Sequence, residues 1–292
     1  SSDLFELFSR IKNLPLASSK LVEGLLTGNY RSVFRGPGLE FDEVREYAEG
    51  DDSRFIDWNV SSRMGEPYTK TFREEREMTL FLIVDVSSSL NTGTGRLGKK
   101  ELVLILSSLL SFSAVHNNDR VGSVFFTDRI EKWVPPRKGK KQVFRLVEDM
   151  MQHRPEGRGS DLGLAIRTVF EALKRRGICV VISDFRVGPS WRELTLLAKR
   201  HDVIAVKVTD PSEHFFPFTG LVELTDPETG RNLLGAGNSA AFRKQYKEFW
   251  DAYHLFWQRE CRRRGIGTLT VSTNDDPVER LLRFFAARRR RR

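Results

Sequence analysis

Cysteine is almost missing from this chain: Cys179 and Cys261 are its only two in 292 residues. Neither shows metal-ligand spacing, and the pair makes no disulfide framework, which excludes zinc-ribbon, redox Cys-x-x-Cys and disulfide-scaffold proteins. No apolar run approaches the roughly 20 residues that cross a bilayer. The opening residues Ser1-Ser2-Asp3-Leu4-Phe5 do not have the basic-then-apolar layout of a secretory signal. The expectation is therefore a cytoplasmic protein without a membrane span. A Gly-x-Ser-x-Gly elbow is also lacking. None of His116, His153, His201, His214 or His254 stands in a pattern that pairs it with a serine, so nucleophilic hydrolysis finds no support. His201, just before an apolar run, reads as a structural histidine.

What is present suffices for a core. Hydrophobic residues make up 39% of the chain and include 21 Phe, 5 Trp and 5 Tyr, which excludes a disordered protein. The length fits one large domain, or a domain with an appended segment. A net charge of +9 owes five units to the tail Arg288–Arg292, and without them it becomes +4. With no stacking module beside it, that tail reads first as a solvated terminus, and nucleic acid is not an expected partner.

Four runs rich in β-branched and aromatic residues, Leu80–Val84, Val121–Phe126, Ile178–Ile182 and Val203–Val208, are nearly continuous in apolar character, as strands covered on both faces are. Between them, Lys99–Val115 carries apolar residues over a very wide helical surface and Asp161–Arg175 carries them at intervals of three and four. Strands alternating with helices predict an α/β fold with a doubly wound, mostly parallel sheet. Ile130–Val134, ending at Pro135-Pro136, reads as an edge strand hairpinned onto its neighbour. Leu221–Leu224 and Thr268–Val271 are later strands, the second after a long helix from about Ala240 to Arg264. The stripe Phe242, Tyr246, Phe249, Trp250, Tyr253 and Trp257 on that helix reads first as core, with a partner groove as the alternative. The last helix has Asp276 as N-cap, Pro277 in its first position and Glu279 where a capping box wants it. Residues 1–77 form an N-terminal α+β segment, with an amphipathic helix near Leu4–Ile11 and extended stretches around Phe41–Tyr47 and Tyr68–Arg76. It is expected to pack on a main domain of 78–273, leaving 274–292 as the C-terminal helix and tail.

Chemistry concentrates where strands end. Phe81-Leu82-Ile83-Val84 runs into Asp85-Val86-Ser87-Ser88-Ser89, and in a doubly wound sheet ligands gather outside the carboxyl ends of strands. A carboxylate with hydroxyls makes a hard oxygen cage suited to Mg²⁺. Taken alone, the three residues read first as a strand-end turn with serine caps. Ile178–Ile182 repeats the layout into Ser183-Asp184, and Gly157-Arg158-Gly159-Ser160-Asp161 sets a hydroxyl and a carboxylate at a helix start.

Together, Asp-x-Ser-x-Ser, a hydroxyl after glycine and a strand-end Asp resemble the metal-ion-dependent adhesion site of von Willebrand factor type A domains, which are Rossmann-like. The resemblance implies Mg²⁺ or Mn²⁺ ligated directly by Ser87, Ser89 and Ser160, with Asp85 and Asp184 holding it partly through water. The family usually has threonine where this chain has Ser160. Gly38-Leu39-Glu40-Phe41, Val44-Arg45-Glu46-Tyr47, Gly50–Trp58, Glu74-Glu75-Arg76-Glu77, Ser183–Arg186, Asp210-Pro211-Ser212-Glu213 and Asp226–Gly230 resemble the signature of the domain of unknown function 58 family. What that implies is a bacterial cytoplasmic protein, often encoded near a MoxR-type AAA+ ATPase. The residues themselves read Arg45, Asp51, Asp52, Arg54 and Asp57 first as a paired network that fixes the N-terminal segment.

Gly93–Gly98 matches Gly-x-Gly-x-x-Gly, and Gly93–Lys99 approximates a phosphate-binding loop. Gly93 lies eight residues beyond Asp85, however, and Lys100 stands where such a loop needs Ser or Thr, so a loop leading into a helix is the better reading. Two functions follow as expectations. The first is a non-enzymatic, metal-dependent protein-binding module whose ion takes an Asp or Glu from a partner, a MoxR-type AAA+ ATPase or its client, in a chaperone-like or assembly role. The alternative is a Mg²⁺-dependent enzyme acting on a phosphate ester or nucleotide.

Overall fold

The computed structural model describes residues 40–73, 78–91, 95–186, 190–213, 221–225, 232–236 and 239–290. The helix expected over Leu4–Ile11 and the stretches Glu74–Glu77 and Asp226–Gly230 lie outside them. At the front, β1 (Glu40–Glu46) pairs antiparallel with β2 (Tyr68–Arg73), and the short helix α1 (Trp58–Met64) lies between them. The extended stretches are thus as expected, and α1 is an addition. Its N-cap is Asp57, whose carboxylate accepts from Asn59 N and Val60 N. The charged signature residues pair locally, Arg45 with Asp51 at 2.8 Å, Arg54 with Asp52 at 2.6 Å and Lys70 with Asp57 at 3.1 Å. The most exposed of them, Arg54 with Asp52, adds little stability.

The main sheet has the order β10-β7-β6-β3-β4-β5. Its strands are β3 (Thr79–Asp85), β4 (Arg120–Phe126), β5 (Ile130–Arg137), β6 (Ile178–Ser183), β7 (Asp202–Thr209) and β10 (Gly267–Ser272). All neighbours run parallel except β4 and β5. The fold is therefore the α/β, mostly parallel arrangement that the alternation of elements predicts. Strand β5 continues through Pro135 and Pro136 to Arg137, beyond the end expected for it. It can do so because it is an edge strand, where a missing N–H need not face a neighbour. The run at Leu221 forms β8 (Leu221–Thr225), which pairs antiparallel with β9 (Asn232–Ala236) as a separate hairpin outside the main sheet.

Side chains alternate across the sheet and define two cores. Leu80, Leu82 and Val84 of β3 face a cluster with α2 (Lys99–His116), α3 (Lys140–Gln152) and α7 (Pro277–Arg290). Phe81 and Ile83 face a second cluster with α4 (Leu162–Ala172), α5 (Trp191–Arg200) and the long α6 (Ala240–Arg263). Helix α2 is buried on nearly every side, Leu102 through Ala114 without a break. Asp276 caps α7 by accepting from Val278 N and Glu279 N. The aromatic stripe on α6 divides: Trp257 is fully buried, Tyr246, Trp250 and Tyr253 are half-buried, and Phe249 is exposed. His201 is buried, its Nδ1 accepting from Gly177 N at 3.2 Å. Cys179 and Cys261 are both buried free thiols.

This topology fixes where a site belongs. From β3 the chain first builds outward through β4 and β5, then returns to place β6 on the other flank of β3. The carboxyl end of β3 is therefore a topological switch point, where loops diverge and leave a crevice.

Candidate functional site

Asp85 is the last residue of β3 and is 1% exposed. Its Oδ1 accepts from Ser87 N at 2.9 Å, the local turn that Asp favours after a strand. The turn folds Ser87 and Ser89 back together, with their hydroxyl oxygens 3.2 Å apart and both residues buried.

A second loop arrives from β5 and α3. Ser88 Oγ donates to Arg158 O at 2.7 Å, which ties the two loops together, and Ser160 Oγ donates to Asp85 Oδ2 at 3.0 Å. Gly157 permits this approach, since a Cβ there would fall 2.1 Å from Thr127 Oγ1. The helix N-cap is Asp161, one residue beyond Ser160, with its carboxylate accepting from Leu164 N at 2.8 Å. The loop is held from below by Glu131, which accepts from Gly157 N at 2.8 Å, Thr127 Oγ1 at 2.7 Å and Glu156 N at 3.2 Å. Burial alone would push the Glu131 carboxyl up, but the hydrogen bonds from Thr127, Gly157 and Glu156 outweigh it and hold it below the usual range. A depressed carboxyl adds stability above its unfolded value of 4.5 and loses it as pH falls through the folded-state value. Glu131→Gln should therefore flatten the acid limb of the stability curve below about pH 5. An unchanged acid limb in thermal melts would count against that role.

The third loop follows β6. Ser183 Oγ donates to Asp85 Oδ2 at 2.7 Å. Phe185, buried and in the left-handed region at φ 52°, donates its N–H to Ser183 Oγ, and its carbonyl accepts from Tyr253 on α6. A bulky residue held in that conformation stores backbone strain of the kind found at functional sites. Asp184 is buried, and Lys99 Nζ lies 3.3 Å and Arg186 Nε 3.6 Å from its Oδ2. Lys99, fully buried at the start of α2, also meets Glu213 Oε1 at 2.8 Å, and Arg186 reaches the same oxygen at 3.2 Å. Beside them Lys207 is buried, with its ammonium over the rings of Tyr253 and Trp257. Burial pushes its ammonium down to about 8 despite the charges of Glu213 and Asp184.

The structure thus brings all three loops together at the switch point, with Ser87, Ser89, Ser160 and Asp85 as one group. Asp184 stands beside them, engaged by two cations. The Asp85 carboxyl is pushed up, first by burial and then by the nearby charge of Asp184, with the hydrogen bonds of Ser87 and Ser183 opposing. Among the described residues, no three His, Cys, Asp or Glu side chains converge as a metal-binding group. Any divalent ion here would depend on hydroxyls, which suits Mg²⁺ or Mn²⁺. The donor set fits such an ion in kind, and two of its oxygen–oxygen separations are compatible with one. Neighbouring ligands of an octahedral Mg²⁺ lie about 3 Å apart, close to the separations of Ser87 from Ser89 and of Ser160 from Asp85. A cavity of ≈ 410 Å³, walled partly by Asp85, Ser87, Leu90, Met150 and Met151, opens beside the group.

Ser183, Lys99 and Glu213 are parts of the site that residue types alone did not single out. Ser183 had a signal: it directly follows the apolar run Ile178–Ile182 as Asp85 follows Phe81–Val84, and the register, with Val84 level with Ile182, makes the two neighbours. Lys99 had none for this role: the sequence sets it at the end of an approximate phosphate-loop pattern, with no sign that it is buried while Lys100 is exposed.

A protein family described as "Protein of unknown function DUF58" matches residues 43–253. An uncharacterized protein of Mycobacterium bovis is 32% identical over 289 residues, covering 98% of this chain and 90% of its own length. An uncharacterized protein of Mycobacterium avium is 34% identical over 161 residues, covering 54% of this chain and 94% of its own length. Among solved structures, the conserved hypothetical protein BatB from Bacteroides thetaiotaomicron aligns at a TM-score of 0.47 and 15% identity, over 72% of this chain and 98% of that one. An aerotolerance-related membrane protein from Bacteroides fragilis aligns at 0.48 and 15%, over 74% and 100%.

Proposed function

The chain belongs to the DUF58 family, and from that premise we propose that it is a non-enzymatic protein-binding module of the von Willebrand A type, dependent on a divalent metal. The observation that carries the reading is the meeting of Ser160 and Ser183 hydroxyls on one oxygen of Asp85, beside the Ser87–Ser89 pair. When bound, Mg²⁺ or Mn²⁺ supplies a positive centre with room for one carboxylate from outside. Ser87, Ser89 and Ser160 would hold it with uncharged oxygens, and Asp85 would balance part of its charge. The partner is a protein that presents an Asp or Glu. A MoxR-type AAA+ ATPase or its client, in a cytoplasmic chaperone-like or assembly role, comes from the family resemblance. No helix among the described residues is long and apolar enough to cross a membrane.

The enzyme reading, Mg²⁺-dependent processing of a phosphate ester or nucleotide, needs a cation free to meet phosphate. Lys99, the candidate from the glycine-rich loop, is buried in its pairs with Asp184 and Glu213, so binding stands ahead of catalysis. The test is capture of partner proteins with and without a chelator. Capture that ignores the chelator would sink the reading. Ser160→Ala should reduce metal-dependent capture severalfold and, by removing a donor from the buried Asp85 carboxylate, cost about 1–2 kcal/mol of stability. Asp161→Ala should instead cost about 1 kcal/mol as a lost N-cap while sparing the metal. A metal-soaked crystal with an Asp161 oxygen on the ion and Ser160 turned away would reverse the assignment.

A further inference from the structure

We infer that Lys99 is a built-in counter-ion that withholds Asp184 from the metal, leaving the ion weakly held by the protein alone and dependent on an acidic partner for tight binding. The inference rests on the metal-site reading and adds what sets its strength. Asp184 Oδ2 is met by Lys99 Nζ at 3.3 Å and approached by Arg186 Nε at 3.6 Å, and its Oδ1 accepts from Arg186 N at 3.3 Å. Its charge is therefore already compensated inside the fold. Lys99 cannot swing away, because it is fully buried and held by Glu213 at 2.8 Å. Asp85 has no such cation, and its carboxylate accepts only from hydroxyls and one backbone N–H among the described residues.

A divalent ion beside one free carboxylate and three neutral hydroxyls keeps more positive charge than it would beside two. Metal affinity falls as that charge rises, while attraction for an incoming carboxylate grows. Metal and partner then bind with positive coupling, and by linkage each strengthens the other by the same factor. The partner thereby takes the place that Lys99 denies to Asp184.

Mn²⁺ alone is the probe, titrated by calorimetry and by loss of its free-ion magnetic resonance signal. Lys99→Met should tighten Mn²⁺ about tenfold by freeing one carboxylate oxygen. Arg186→Gln, at a side chain 28% exposed and so more tolerant of change, should act in the same direction if Lys99→Met does not fold. Lys100→Met removes an adjacent but exposed charge and should change the affinity by less than about twofold. Folded Lys99→Met or Arg186→Gln with wild-type affinity would overturn the inference while leaving the metal reading intact, as would equal tightening in Lys100→Met. No Mn²⁺ binding by wild type or any variant at millimolar concentration would remove the metal reading itself.

Discussion

Replacing Asp85 with Asn should raise the thermal stability of the metal-free protein while nearly abolishing its response to metal. The two effects share one cause. Asp85 is buried, and burial followed by the charge of Asp184 holds its carboxyl above the ordinary value of 3.8. A folded-state value above the unfolded one means that folding favours the protonated form. The stabilisation is complete below the unfolded value and is lost as pH rises through the folded-state value, so above the folded-state value the ionised carboxylate destabilises the empty fold. Asn keeps the shape and removes the charge. Its oxygen can still accept from Ser87 N, and the hydroxyls of Ser160 and Ser183, now 3.0 and 2.7 Å from Oδ2, can rotate to accept from its amide. We expect a gain of about 2 °C or more without metal, a loss of the pH dependence above pH 4, and Mn²⁺ affinity lower by about 100-fold. Wild type and Asp85→Asn that gain equally on adding Mg²⁺ would refute the assignment.

The second large effect belongs to α6. Trp257 is fully buried, packs its ring 5.1 Å from Phe185 and lies under the Lys207 ammonium. Truncation to Ala leaves a large cavity between α6 and the sheet, at about 3–5 kcal/mol, which should lower the melting temperature by about 10 °C. The damage should reach the third loop, because Phe185 loses the packing that holds its strained backbone. Faster amide exchange at 183–186 than in wild type is the specific signature. Trp257→Phe should cost much less, since it keeps an aromatic ring and removes an indole N–H that has no acceptor among the described residues. Equal losses in Ala and Phe would show that the ring is not what anchors the helix.

How legible these features were depends on the range of the physics involved. Strands β3, β4, β6 and β7 show in the sequence because burial on both faces demands unbroken apolar runs. The cap of α7 shows because Asp276, Pro277 and Glu279 act within one turn. The grouping of Asp85, Ser87 and Ser160 shows only through the family resemblance, since the spacing alone fits a turn with serine caps. The role of β8 was not legible: Leu221–Thr225 has strand composition, but which sheet it joins depends on a partner it meets only in three dimensions. The same holds for Lys99, whose burial rests on Asp184 and Glu213, far along the chain. Charge compensation by distant residues leaves no periodic trace.

The near-complete burial of α2 also bears on how the chain emerges during synthesis. Its buried stretch spans residues 102–114, yet Leu281 and Phe285, which close part of the cluster around it, belong to α7. Until α7 leaves the ribosome, a helix greasy on several sides must wait with part of its cover missing. Nascent chains in that state are exposed to wrong association in proportion to the delay. Truncation before Pro277 would make the delay permanent, so a shortened product should accumulate in aggregates or with holdases rather than as a smaller folded domain.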